Sequence, residues 1–76
     1  MKFKKGDYVI FRRFFKRPGF HGMEWNEGLC QVIDSTSHQG YTVWDCLLRE
    51  VKWVGEGSLL REASSLEVFA YEVNSG

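Results

Sequence analysis

The most reactive side chains in this 76-residue chain are Cys30, Cys46, His21 and His38. A nucleophilic site needs a Ser or Cys with a His base and an orienting acid. Cys30 with His38 and Ser58 with Glu62 come nearest in sequence, and neither forms a set. The two thiols lack the CxxC spacing of a zinc site, and the histidines stand in separate polar segments, so no metal is implied. Gly55-Glu56-Gly57 carries an acid where a phosphate would approach, and no Walker or dinucleotide pattern follows. Glu56, Glu62 and Glu67 read as a solvated face. The expectation is a protein that is not an enzyme and has no cofactor.

Binding chemistry is better represented. Phe11-Arg12-Arg13-Phe14-Phe15-Lys16-Arg17 is continued by Phe20, His21 and Trp25. Cations interleaved with rings suit a nucleic acid, with charges meeting phosphates and rings stacking on bases. Arg and aromatic residues are also the usual anchors of protein interfaces. Arg12, Arg13, Phe14, Lys16, Arg17, Phe20 and Trp25 are therefore the candidate nucleic-acid- or anion-binding residues. A plainer reading also stands: some rings are core and the cations are solubilising neighbours on an edge strand. The net charge is zero, yet residues 1–17 hold seven bases and one acid, and the remainder three bases and nine acids. That segregation suggests a basic patch on an acidic body, unless first and last strands lie together and neutralise each other.

These residues need strands to hold them. At 8.9 kDa the chain can build one small core. Hydrophobic residues at 43% and charged residues at 26% are globular values, and aromatics at 16% are in excess. No apolar run spans a membrane, and the basic start is not followed by the apolar stretch of a signal peptide, so a cytoplasmic protein is expected. Asp7–Phe15 is β-branched and aromatic and reads as a first strand. Lys16–Glu27, with Pro18, Gly19 and Gly22, reads as a long loop. Gly28–Ser35, Tyr41–Leu48 and Glu50–Val54 read as three further strands, with turns at Thr36–Gly40 and Gly55–Ser58. Leu59–Ser65 reads as a short helical turn and Leu66–Tyr71 as the closing strand, before a frayed Asn74–Gly76. Trp44, Leu47, Leu48, Val51 and Val54 also fall at helical spacing, so a helix over Asp45–Val54 competes with the strand assignment.

The order of elements predicts an all-β barrel of about five strands forming one domain over residues 1–76. Lys5-Gly6-Asp7-Tyr8-Val9-Ile10, Gly28-Leu29-Cys30-Gln31-Val32-Ile33-Asp34, Tyr41-Thr42-Val43-Trp44 and Ser65-Leu66-Glu67-Val68 resemble the phrasing of SH3-like small β-barrels. These include KOW and Tudor-type modules and the small SH3-like subunits of photosystem I and ferredoxin–thioredoxin reductase. The resemblance implies a domain that binds RNA, DNA, peptides or protein assemblies and rarely catalyses. Shared fold does not carry function across.

A hairpin loop at Thr36–Gly40 pairs Ser35 with Tyr41, Ile33 with Val43, Val32 with Trp44, and Cys30 with Cys46. Side chains alternate along a strand. The even face then carries Cys30, Val32, Trp44, Cys46 and Leu48 inward, with both thiols as reduced core residues. Leu29, Ile33, Tyr41, Val43 and Leu47 form an outward apolar patch around Gln31 and Asp45, a candidate partner-binding or self-association site. Two alternatives remain: a loop or the C-terminal segment covers this patch, or a one-residue slip exchanges the faces.

The first functional expectation is a binding module that docks on a protein as subunit, adaptor or inhibitor, a role that suits a small phage-encoded protein or a homo-oligomer. The second is RNA or DNA binding through the basic-aromatic segment. The third is a nucleotide or other small anion held between protomers.

Overall fold

The computed structural model describes residues 3–36 and 39–75, without the side chains of Thr36 and Ser75. Five strands, β1 (Tyr8–Lys16), β2 (Met23–Thr36), β3 (Gly40–Asp45), β4 (Glu50–Gly55) and β5 (Leu59–Glu62), precede one helix, α1 (Ser65–Ser75). They form one antiparallel sheet in the order β4-β3-β2-β1-β5. A 3-10 turn at Glu56–Ser58 leads into β5. The sheet curls like a small barrel but does not close: β4 and β5 are its two edges.

The curl encloses Phe3, Val9, Phe11, Cys30, Val32, Tyr41, Val43 and Leu59, with Val54 packed against them. Val9, Phe11 and Arg13 alternate inward along β1 while Arg12 and Phe14 point out, the period of two that a half-buried strand requires. Phe3 closes one end, edge-on to the Tyr41 ring at 6.2 Å, and its N–H donates to the Tyr41 hydroxyl at 3.2 Å.

The β2–β3 register departs from the simple ladder. Ser35 pairs with Tyr41 as expected. A β-bulge then inserts Ile33, so that Val32 pairs with Val43, Gln31 with Trp44 and Cys30 with Asp45. Beyond the bulge the odd residues of β3 share a face with the even residues of β2. Cys30 and Val32 are inside, as the even-face reading required, but Tyr41, Val43 and Asp45 join them, fully buried. Tyr41 and Val43 are therefore core residues and not part of an outward patch. Trp44 is half-buried on the outer face, opposite Val51. Cys46 does not pair with Cys30; both thiols are free and buried.

Three other segments differ from expectation. Met23–Glu27 is strand and not loop, so β1 and β2 form a long hairpin joined only by residues 17–22. Asp45–Val54 is neither a helix nor a continuous strand. It is a tight hairpin in which Asp45 accepts from the N–H groups of Leu47 (3.0 Å) and Leu48 (3.1 Å), with Arg49 left-handed at φ 57°. An Asp that caps the turn after it gives the chain a short route back to β4. Leu66–Tyr71 is helical. Ser64 and Glu67 make a reciprocal capping box: Glu67 N–H donates to Ser64 Oγ (3.2 Å) and Ser64 N–H donates to Glu67 Oε1 (2.8 Å). Leu59–Glu62, expected as a helical turn, is the closing strand instead. Its register on β1 shifts between Ile10 and Phe11.

No helix among the described residues is long and apolar enough to cross a membrane.

Candidate binding surface on the β1–β2 arm

The far half of the β1–β2 hairpin carries most of the candidate binding residues. Its register pairs Arg12 with Glu27, Arg13 with Asn26, Phe14 with Trp25, Phe15 with Glu24 and Lys16 with Met23. Opposed residues in an antiparallel ladder share a face. One face therefore presents Arg12, Phe14, Lys16, Met23, Trp25 and Glu27. Phe14 is 51% exposed, Trp25 48% and Met23 61%. The Arg12 guanidinium lies 4.9 Å from the centre of the Trp25 ring, a cation–π contact that holds both side chains on the surface.

The tip closes on Arg17-Pro18-Gly19-Phe20. Phe20 N–H donates to the Arg17 carbonyl at 3.1 Å, and Gly19 has φ 82°. Pro followed by a positive-φ Gly is the signature of a type II turn, and a side chain at Gly19 would be strained. Phe20 is half exposed beside this turn. Arg17 is tied to Glu24 on the opposite face at 2.8 Å.

The root of the arm is locked by charge. Arg13 points inward and donates from Nε to Asp45 Oδ2 (2.8 Å) and from Nη2 to Asp45 Oδ1 (2.7 Å), a fork-to-carboxylate pair. Its Nη1 donates to Asn26 Oδ1 at 3.2 Å. Lys52 Nζ approaches Asp45 Oδ2 at 3.0 Å, and both cations lie against the Phe11 ring. Asp45 is 0% exposed and Arg13 8%. Burial alone would raise the Asp45 pKa; hydrogen bonds from Arg13, the Leu48 N–H and Lys52 reverse this and hold it well below the usual carboxylate range. Gly28 fits the same cluster, because a Cβ there would overlap the Arg13 guanidinium.

The structure thus divides the candidate cations. Arg12 and Lys16 are exposed on the ring-bearing face. Arg17 is exposed but ion-paired, and Arg13 is a structural anchor unavailable to a ligand. Arg13–Asp45 was not foreseen, because Asp45 was expected to face outward. The bulge at Ile33 is what turns it in.

The expected apolar patch is dispersed. Leu29 is outward but lines clefts under α1, beside Ala70 and Tyr71. Ile33 and Leu47 are exposed at opposite ends of the β2–β3 ribbon. Tyr41 and Val43 are interior.

The possible nucleophiles do not assemble. Cys30 is buried, and burial pushes its thiol up to about 12. His38 lies outside the described residues. Among those described, no three His, Cys, Asp or Glu side chains group as metal ligands.

The chain matches no protein family, no curated protein and no solved structure.

Proposed function

We propose that this protein is a non-enzymatic binding module that engages a protein partner through the ring-bearing face of its β1–β2 arm. The observation that carries this reading is the exposure of Phe14, Met23 and Trp25 side by side, with Phe20 at the tip and Arg12 seated on Trp25. Aromatic, Met and Arg side chains are enriched in interface cores, and monomeric surfaces rarely group them. The rigid root supports the same reading, since a face held by a buried ion pair loses little conformational freedom on binding. A meander in the order β4-β3-β2-β1-β5 with a 3-10 turn before the last strand is consistent with the resemblance to SH3-like barrels, which agrees with docking by analogy alone. Subunit, adaptor and inhibitor, including an inhibitor encoded by a phage, are all forms of such a module.

The test is capture from a cytoplasmic extract treated with nuclease. Wild type should retain a protein that the Phe14→Ser/Trp25→Ser variant, equally folded, does not. Equal retention by both would overturn the assignment of the arm.

Nucleic-acid binding is the second reading, favoured by Arg12 and Lys16 flanking the Phe14–Trp25 pair. It requires binding that falls steeply with salt and weakens in Arg12→Ala/Lys16→Ala. Glu27 opposite Arg12 and Glu24 on Arg17 reduce the field such a site needs. A small anion between protomers has less support still, because Arg13 is committed to Asp45.

A further inference from the structure

The two edges of the open sheet are not equally guarded. β5 is four residues long, its register on β1 is broken, and Arg61 and Glu62 charge its outer half. Short, irregular and charged edges resist pairing with another chain. β4 is six residues long, pairs regularly with β3 and contains no Pro. Lys52, the charge in its middle, is turned inward and lies closer to Asp45 (3.0 Å) than to Glu50 (3.7 Å). Val51 and Trp53 are both 57% exposed on the outer face.

The ladder decides which main-chain groups this edge offers. Glu56 N–H donates to the Gln39 carbonyl at 2.9 Å, which makes Gln39 and Glu56 a hydrogen-bonded pair. Bonded and non-bonded pairs alternate along an antiparallel ladder. Val54, Lys52 and Glu50 therefore bond to β3, while the N–H and C=O groups of Val51, Trp53 and Gly55 point away from it. Among the described residues nothing pairs with these groups. The Trp53 indole leaves them open, because it lies back over β3, where a Cβ on Gly40 would overlap it.

We infer that β4 takes up an extended, basic segment of a partner protein as an added strand. The segment's main chain pairs with Val51, Trp53 and Gly55, and its apolar side chains lie beside Val51 and Trp53. Charge selects this occupant. Glu50 and Glu56 stand exposed at the two ends of the edge, and Lys52 between them is committed to Asp45. A cation near each end of the segment then meets an acid. The same acids disfavour a second copy. Full overlap of two β4 edges, antiparallel about Trp53, sets Glu50 of each opposite Glu56 of the other, and like charges directly opposed destabilise a ladder.

This site shares no residue with the ring-bearing face of the arm, and its failure would leave the reading of the arm standing.

Amide exchange and titration with the capped heptapeptide Arg-Val-Thr-Val-Thr-Val-Arg test it. In the free protein the Val51, Trp53 and Gly55 amides should exchange faster than those of Lys52 and Val54. The peptide should bind with a dissociation constant below about 1 mM and slow those three amides at least about tenfold. N-methylation of its Val residues, whose N–H groups face β4, should abolish binding, whereas N-methylation of its Thr residues should not. Exchanging its Arg for Glu should weaken binding at least about tenfold, and Glu50→Lys/Glu56→Lys should reverse that preference. Slow exchange of the three amides without peptide overturns the inference, since the edge would then be covered already. So does a peptide that leaves them unmoved at about 1 mM, or one that binds despite N-methylated Val. A free protein that doubles its mass through β4 assigns the edge to a second copy and overturns it as well.

Discussion

Replacing Asp45 probes the link between core and arm most directly. Its carboxylate accepts five contacts: two from Arg13, one from Lys52 and two from the backbone of the β3–β4 turn. Asp45→Ala removes them all and leaves the Arg13 guanidinium in the barrel mouth without its counter-charge. Breaking a buried pair from one side costs about 3–5 kcal/mol. A chain of this length has about 4–11 kcal/mol in total, so Asp45→Ala should unfold much of the population near physiological temperature. Asp45→Asn is more discriminating. Its amide oxygen can still accept from Leu47 and Leu48, so the turn survives while the charge is lost, and about 1.5–3 kcal/mol is expected from the charge-assisted bonds alone. Urea unfolding followed by tryptophan fluorescence measures both. Removing the stranded cation as well, in Arg13→Met/Asp45→Asn, should cost less than the two single changes added together, by about 1–3 kcal/mol. Amide exchange over residues 14–25 should quicken in Asp45→Asn before the core strands open. Strict additivity, or an Asp45→Asn cost under about 0.5 kcal/mol, would refute the view that this pair anchors the arm.

Gly28→Ala should destabilise by about 1–3 kcal/mol through overlap with Arg13, and the loss should shrink in an Arg13→Met background; equal losses in both would remove the steric account. Ser64→Ala should cost about 0.5–2 kcal/mol and lower the helical signal in circular dichroism, which an unchanged spectrum would contradict. Glu67 is held down at about 2 by hydrogen bonds from Arg61 and Ser64, below an unfolded value of about 4.3. Its contribution is present above the unfolded value and lost as pH falls toward the folded one, so α1 should loosen between about pH 4 and 2, a transition that Glu67→Gln should lack. Burial raises Cys30 to about 12 and also raises Cys46. Both thiols should resist alkylation at pH 8 until the chain unfolds, and stability should decline as pH rises from about 9 toward 12, the window between the unfolded and folded thiol values. Rapid labelling of the native protein would contradict the burial.

Much of the fold could be read from residue type. Tyr8–Lys16 and Glu50–Gly55 carry β-branched and aromatic residues bounded by turn formers, and they are strands. Pro18 and Gly19 mark a break in regular structure, and the break is the tip of the β1–β2 hairpin, shorter than the loop expected over Lys16–Glu27. The C-terminal segment differs from expectation because Val68, Phe69 and Tyr71 are strand-favouring residue types, while the capping box Ser64-x-x-Glu67 points to a helix start. The cap dominates because it satisfies two backbone donors locally. The Asp45 turn was not legible: Cys46-Leu47-Leu48 is apolar and holds no turn former, and the chain reverses there because the Asp45 carboxylate accepts from the Leu47 and Leu48 N–H groups.

The candidate site was legible in composition and not in direction. Alternation predicted that the two faces of β2 and β3 differ, and they do. One inserted residue decides which β3 side chains go inside. Ile33 carries no Gly or Pro to mark a bulge, and its cause is non-local. A regular ladder would place Cys46 opposite Cys30 and leave Asp45 outside, with Arg13 directed at no anion. The bulge lets Asp45 reach Arg13 from the neighbouring strand while Tyr41 reaches the Phe3 backbone at the other end. A buried Arg without a carboxylate costs more than one unpaired ladder residue, so the ion pair favours the bulge over the regular register. The same exchange frees the arm. With Arg13 drawn inward to Asp45, alternation leaves Arg12, Phe14 and Lys16 no direction but outward, opposite Trp25 and Met23. The exposure of the binding face is thus a consequence of the buried charge at its root.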